Sequence, residues 1–164
     1  VKPAAALTKS GVVGVLATEA SLAGEKFHRL VDTHARDLRV ITTPCPKFVT
    51  LVENGTLKGP DVEAAIRAYT DPLLAVGADV LVLGCTHYPF LREAIQQLVG
   101  PGIALLDTGP AVAQRVASLL PDEDDTGGAT EPTIFTTGEV AQLERLLPDL
   151  LPSEHCQVQA LPQG

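Results

Sequence analysis

The sequence predicts an α/β fold built on a parallel β-sheet. Short β-branched apolar runs alternate along the chain with stretches of helical periodicity, the order typical of successive βαβ units. The first run, residues 11–18, fits a strand buried on both faces, as strands of parallel sheets are. The chain has 164 residues, of which 45% are hydrophobic. That length suits one domain with a real core, or one domain and part of another.

The elements follow one another in a regular order. Strands are predicted at residues 11–18, 38–42, 80–83, 103–106, 133–136 and 157–161. Helices are predicted from a possible cap at Ser21 through Val31, and over 48–53, 61–76, 89–98, 111–120 and 139–147. Asp61 is the expected N-cap of the helix that Gly77 ends, and Pro89 occupies a tolerated first-turn position. The acidic stretch 122–128 is expected to be a solvated loop.

Charge and composition argue against several classes of protein. Twelve Lys and Arg against 20 Asp and Glu give a net charge of −8, which disfavours a nucleic-acid partner. No apolar run approaches the ~18 residues of a membrane span, and the N-terminus does not resemble a signal peptide, so we expect a soluble, cytoplasmic protein. The three scattered cysteines predict reduced thiols. A chain that begins with Val and contains no Met is expected to be a fragment.

Ligands of open α/β sheets bind beyond the carboxyl ends of the strands. Of the four segments that follow predicted strands, Gly84-Cys85-Thr86-His87 contains the most chemistry. Cys85 precedes a helix opened at Pro89, where unpaired backbone N–H groups favour a thiolate. His87 would share a face with Cys85 in an extended conformation. The pair could therefore act as thiolate and acid, or as thiol and base.

The same Cys-x-His spacing also fits a buried structural cysteine beside a histidine that hydrogen-bonds to the backbone. A metal site is disfavoured because no second cluster of cysteine or histidine supplies further ligands. Thr18 and Glu19 fit a helix-capping pair. Cys45, between two prolines, is expected to be a structural or bystander thiol. We expect no role in the site for the remaining candidates, Cys156, His28, His34 and His155.

Residues 83–89, Leu-Gly-Cys-Thr-His-Tyr-Pro, closely resemble the signature around the second catalytic cysteine of glutamate racemases, members of the cofactor-independent aspartate/glutamate racemase superfamily. Other segments resemble successive blocks of that family in order: residues 2–6, 14–19, 45–53, 107–109 and 135–138. The resemblance covers essentially the whole chain. The family's first block, an aspartate-serine pair, and its first catalytic block, a cysteine followed by asparagine and threonine, have no counterpart.

The resemblance implies two pseudosymmetric α/β domains with the active site between them, each contributing one cysteine. Residues 1–107 would form the second domain, and residues 108–164 would complete the first. The apolar faces of residues 111–120 and 133–147 would then be poorly covered. Such a surface would mark a missing contact or a substitute homodimer interface.

The resemblance also implies an activity, the interconversion of L- and D-glutamate by proton transfer between two thiols, supplying D-glutamate for peptidoglycan with neither cofactor nor metal. Cys85 would be the acid/base on one face of the substrate. Thr86 and His87 would contact the substrate, and His87 would assist Cys85. Glu53 would interact with the substrate ammonium or with His87, unless it is an ordinary solvated carboxylate.

Two alternatives remain open at this point. The chain could be a non-catalytic half-racemase that binds an anion without proton transfer. It could also be a related racemase that acts on aspartate or on hydantoins with the same thiol. On either enzymatic interpretation, one thiol serves only one face of the substrate. We therefore expect the chain alone to be nearly inactive.

Overall fold

The structure is a computed structural model that describes residues 2–120, 131–151 and 155–162. The chain divides into two units, Val1–Arg115 and Val116–Gly164. The first unit contains the four residues predicted to form the site. The division after Asp107, with residues 108–164 completing another domain, stays a prediction. The predicted acidic loop, residues 122–128, lies outside the described residues.

A four-stranded parallel sheet forms the centre of the first unit. Its strands are β1 (Val12–Ala17), β2 (Arg39–Pro44), β3 (Val80–Leu83) and β4 (Ala104–Asp107), in the order β2-β1-β3-β4. In the register, Ala17 pairs with Pro44, Leu16 with Leu83, and Leu83 with Asp107. All four strands therefore end near one edge of the sheet. The predicted parallel α/β fold is confirmed.

Eight α-helices and one 3₁₀ helix are seen in the described residues. Those of the first unit are α1 (Lys2–Leu7), α2 (Glu19–Ala23), α3 (Glu25–His34), α4 (Pro46–Glu53), α5 (Pro60–Ala75), the 3₁₀ helix Tyr88–Leu91, α6 (Arg92–Val99) and most of α7 (Gly109–Ala117). The helix of the second unit is α8 (Val140–Leu150). None of these helices is long and apolar enough to cross a bilayer.

Three observations on the helices correct or extend the sequence prediction. Ser21 does not cap α2; Thr18 does, because its side chain accepts a hydrogen bond from the Ser21 N–H at 3.2 Å. Asp61 lies in the first turn of α5 rather than at its cap, since the helix begins one residue earlier at Pro60. Helix α1 was not predicted. Its alanines favour helix formation, and Pro3 lies in the first turn, where its missing N–H is tolerated.

The helices cover the sheet on both faces. Val13, Val15 and Val80 point to one face, where residues of α1, α2 and α3 pack on them. On the other face, Gly14 leaves room for α5. A Cβ on Gly14 would lie 2.8 Å from Cδ1 of Leu73 in α5 and 2.6 Å from Cδ2 of a leucine in the adjacent strand β3. Burial from both sides explains why β1 and β3 are continuous apolar runs.

The second unit contains a parallel strand pair and α8. The strands are β5 (Thr133–Thr136) and β6 (Gln157–Ala160), as the sequence predicts. Among the described residues of this unit, none is fully buried. Large apolar side chains of α7 and β5, including Val112, Val116 and Phe135, are more than half exposed. These exposures are consistent with the poor cover predicted for the apolar faces of residues 111–120 and 133–147, and the missing domain contact stays a prediction.

Asp79 attaches the amino end of the sheet to the segment that leads into β1. Its Oδ1 accepts a hydrogen bond from the Thr8 hydroxyl at 2.5 Å, and its Oδ2 accepts from the backbone N–H groups of Lys9 and Ser10 at 2.7 and 2.8 Å. Burial opposes ionisation, but these hydrogen bonds outweigh it and lower the pKa of Asp79 to about 2. The ionised carboxylate therefore stabilises the folded state.

We expect Asp79→Asn to reduce the free energy of unfolding at neutral pH by about 1 kcal/mol, since the partly exposed site is screened by solvent. The folded-state pKa lies below the ordinary value of about 3.9, so this stabilisation is present above about pH 4 and is lost as the pH falls toward 2. Urea unfolding of both proteins at about pH 7 and pH 2 measures this difference. A difference that does not shrink at the lower pH would contradict the assignment.

Candidate active site

The site lies where the strand order reverses. The chain leaves β1 toward β2 on one side of the sheet and leaves β3 toward β4 on the other, which opens a crevice beyond the ends of β1 and β3. Gly84 follows β3 and donates its N–H to Leu16 O at 2.8 Å. A Cβ on Gly84 would lie 3.1 Å from both Leu16 O and Ala17 Cβ. Glycine therefore lets the Cys85 loop lie close against the end of β1.

Helix α4 positions Glu53 beside this loop. Pro46 occupies the first turn of α4, and the helix ends at Glu53, before Asn54. Phe48, Leu51 and Val52 have the spacing of one helix face, and all three are buried. Glu53 lies off that buried face, and its side chain is 55% exposed. The carboxylate is therefore free to reach the loop that follows β3.

Cys85, His87 and Glu53 form a continuous chain of side chains. Cys85 Sγ lies 3.6 Å from His87 Nδ1, and His87 Nε2 lies 2.5 Å from Glu53 Oε1. The imidazole is 29% exposed, and Cys85 is half-buried. Each ring nitrogen faces one partner. When Nε2 carries the ring proton and donates it to Glu53, Nδ1 is unprotonated and can accept a proton from the Cys85 thiol. The structure thus brings together three of the four residues predicted from the sequence.

Thr86, the fourth predicted residue, is exposed between the cysteine and the histidine. The Thr86 hydroxyl has no hydrogen-bond partner in the described part of the chain. The same is true of the backbone N–H groups of Cys85, Thr86 and His87, which precede the 3₁₀ helix. Successive unpaired N–H groups in a turn can bind an anion such as a carboxylate. The loop therefore combines a thiol–imidazole pair with N–H and hydroxyl groups that can bind an anion.

The Cys45 thiol is buried, which favours the structural role predicted for it. Its side chain is fully buried, and its S–H donates to Thr43 O at 3.2 Å. Burial raises the pKa of Cys45 to about 12, against a smaller opposing effect of a backbone hydrogen bond with Ala17. The Cys45 thiol therefore stays protonated at neutral pH.

The remaining candidates lie away from this chain of side chains. Thr18 caps α2, and Glu19 is an exposed residue of the first turn of that helix. His28 and His34 are in α3, while His155 and Cys156 belong to the second unit. Within residues 2–120, 131–151 and 155–162, no group of three or more histidine, cysteine or acidic residues could hold a metal ion.

Sequence reasoning missed a clamp at the end of β4. Arg92 donates to Asp107 Oδ2 at 2.7 Å and to Leu105 O at 2.9 Å, and the Gly109 N–H donates to Asp107 Oδ1 at 3.0 Å. These bonds fix the turn between β4 and α7 at the same edge of the sheet as Cys85. A pair formed by residues on a helix and the next strand leaves no local sequence signal.

Comparison with known proteins identifies the family. A model of the Asp/Glu/Hydantoin racemase family matches residues 2–116. The chain belongs to this family. The glutamate racemase of Pseudomonas entomophila is 46% identical over 164 residues, covering 99% of this chain and 62% of that protein. The glutamate racemase of Herpetosiphon aurantiacus is 52% identical over 124 residues, covering 76% of this chain and 49% of that protein.

A solved structure supports the same assignment. The Escherichia coli glutamate racemase, in complex with L-glutamate and the activator UDP-MurNAc-Ala, matches with a TM-score of 0.81 and 31% identity. The match covers 99% of this chain and 63% of the other. This racemase-family chain spans between about half and about three fifths of the length of the curated relatives it matches. The resemblance found in the sequence is confirmed.

The two first-unit thiols should differ sharply in reactivity. We expect iodoacetamide at about pH 8 to label Cys85 in the folded chain and to spare Cys45, whose thiolate fraction is about one in 10⁴ at that pH. Peptide mass spectrometry at timed intervals measures each site separately. Labelling in urea is the control, because all three cysteines should then react. Equal rates at Cys45 and Cys85 in the folded chain would contradict the structural role of Cys45.

Proposed function

We propose that this chain supplies one catalytic half of a glutamate racemase, which interconverts L- and D-glutamate without a cofactor. The observation that carries the proposal is the chain of contacts from Cys85 through His87 to Glu53 at the crevice between β1 and β3. The relatives named glutamate racemase favour glutamate over aspartate or hydantoins as the substrate. No observation in this structure favours a binding module without chemistry.

Racemisation needs a proton to leave one face of the α-carbon and another to arrive on the opposite face. A single base would have to move between faces, so two opposed groups are a better solution. One acts as a thiolate and the other as a thiol, and the roles exchange with the handedness of the substrate. Cys85 would serve one face. The second thiol would come from the part of the relatives that this chain does not cover.

The α-proton is far less acidic than a thiol, so the site must stabilise the carbanion-like transition state. Fixed donors to the substrate carboxylate supply most of such stabilisation. The unpaired N–H groups of Cys85, Thr86 and His87, with the Thr86 hydroxyl, would be those donors in this half of the site. They are in place before substrate arrives, so little reorganisation is needed.

His87 and Glu53 would act on the thiol. With Nδ1 3.6 Å from Sγ, His87 can receive a proton from Cys85 and return it. The imidazolium formed in this way carries its charge toward the Glu53 carboxylate at Nε2, which stabilises it. Cys85 is then the catalytic acid/base, and His87 assists it. Glu53 acts through His87 rather than on the substrate.

The biological role proposed for this activity is the supply of D-glutamate for peptidoglycan in the cytoplasm. It follows from the family resemblance rather than from the geometry of the site. The homodimer that the sequence analysis considered stays a prediction. The exposed apolar side chains of α7, such as Val112 and Val116, are the surface on which it would depend.

Reconstitution tests the proposed function. We expect the chain alone to convert L- to D-glutamate at near-background rate, since losing one of two acid/base groups typically costs ~10²–10⁴-fold. Adding the part of the Pseudomonas entomophila racemase that this chain does not cover, in trans or by fusion, should restore conversion. Cys85→Ser in the restored enzyme should abolish it again, whereas the matched Cys156→Ser variant should retain it. A chiral assay of glutamate in deuterium oxide follows both inversion and α-proton exchange.

Two results of that experiment would contradict the proposal. Full racemase turnover by the isolated chain would mean that the second base lies within it. A restored enzyme that loses no activity with Cys85→Ser would mean that Cys85 is not an acid/base.

A further inference from the structure

Tyr88, the residue after His87, is the largest fully buried side chain of the described core. Its hydroxyl donates to Cys45 O at 3.0 Å. Its ring meets Phe48 edge to face, with centroids 5.2 Å apart and planes at 86°. Phe48 meets Tyr69 of α5 in the same way, at 5.1 Å and 88°. The residue next to the candidate acid/base pair is thus fixed to the residues at the start of α4.

These contacts and the one between His87 and Glu53 join both ends of α4 to the loop that follows β3. Cys45 precedes α4 and Phe48 lies in its first turn, whereas Glu53 is its last residue. Eight helical residues span about 12 Å. The start of the helix is tied to Tyr88, and its end meets His87, the preceding residue. Because a short helix moves as a rigid body, fixing its start against the loop also fixes the position of Glu53.

The pair of His87 and Glu53 needs such a restraint. Glu53 is 55% exposed, and an exposed contact between two mobile polar side chains gains little free energy on its own. The buried hydroxyl of Tyr88 provides an attachment that water does not compete for. Burial raises the pKa of Tyr88, and repulsion from Cys45, Cys85 and Tyr69 raises it further. The hydroxyl therefore stays protonated, and remains a donor, over the pH range in which thiols and imidazoles titrate.

We propose that Tyr88 is a positioning residue, whose hydroxyl bond to Cys45 O and ring contact with Phe48 hold Glu53 against His87. The inference rests on the proposed function only in assigning catalytic importance to that pair. If Tyr88 served the core alone, phenylalanine would replace it without effect on the pair, since the ring and its contacts would remain. The hydroxyl distinguishes the two roles.

Tyr88→Phe and Tyr69→Phe form a matched pair of variants for the test. Each removes one hydroxyl from a ring that packs on Phe48. The Tyr69 hydroxyl accepts a long bond, 3.4 Å, from the Lys47 N–H, and among the described residues it makes no hydrogen bond with Cys85, Thr86 or His87. His87→Gln provides the reference for a site without an imidazole. All measurements use the chain as it stands, so they do not require racemase activity.

The first readout is the imidazole N–H proton of His87 in the proton NMR spectrum, which a short bond to a carboxylate shifts far downfield. The second is the pH profile of Cys85 alkylation by iodoacetamide, followed by mass spectrometry. Tyr88→Phe should weaken the downfield signal and slow alkylation near pH 7 about fivefold, the factor for one lost hydrogen bond. Its profile should move toward that of His87→Gln. Tyr69→Phe should match the unmodified chain in both readouts.

Several outcomes would overturn the proposal. Unchanged signal and profile in Tyr88→Phe would mean that the hydroxyl does not position the pair. Equal changes in Tyr69→Phe would mean general loosening of the core. If Tyr88→Phe does not fold, Phe48→Leu, which removes the ring contact from the α4 side, should shift both readouts in the same direction, and no shift would overturn the proposal. A racemase assay that fails while these shifts appear would count against the proposed function alone.

Discussion

The candidate site depends on how closely the end of β3 approaches the end of β1. The parallel pairing of these strands continues one residue beyond β3, through the bond from Gly84 N–H to Leu16 O. The missing Cβ of Gly84 allows this approach, since a side chain there would press on Leu16 O and Ala17. The next residue is Cys85, which is thereby placed at the reversal of strand order. The other contacts of the site build outward from this fixed loop.

Beyond the loop, the site is assembled by elements that are distant in sequence. Glu53 reaches His87 across 34 residues, and the Tyr88 hydroxyl reaches Cys45 O across 43. Both contacts depend on α4, which packs beside the loop because its apolar face is buried. The proposed acid/base chemistry therefore depends on core packing as well as on the residues of the motif. A thiol and an imidazole two residues apart would be a weak site without that support.

The sequence predicts much of this architecture for physical reasons. Buried parallel strands are apolar runs, so β1 and β3 were predicted nearly as observed, and Gly77, with a φ of +89°, ends α5 as expected. Cys85 and His87 stood out because parallel sheets place their ligands beyond the strand ends. Glu53 could not be derived from residue spacing, because its partner lies in another element. Only the family resemblance singled it out, and the structure supplies its contact with His87.

Other features left no signal that sequence reasoning could use. Tyr88 and Phe48 read as ordinary core residues, since edge-to-face contacts depend on tertiary packing. The clamp of Arg92 on Asp107 joins a helix to the strand that follows it, and no local pattern predicts such a pair. In each case the deciding contact is made by groups that the fold, rather than the local sequence, brings together.

Crystal structures of the chain joined to the complementary part of a relative, one with L-glutamate and one with D-glutamate bound, would show whether Cys85 faces the α-carbon. We expect the substrate carboxylate on the N–H groups of Cys85 and Thr86, and Cys85 Sγ about 3–3.5 Å from the α-carbon, with the α-hydrogen of one of the two enantiomers directed at that sulfur. His87 should keep its contacts to both Cys85 and Glu53. Glutamate bound elsewhere, or bound so that neither enantiomer directs its α-hydrogen at Cys85, would contradict this role of Cys85.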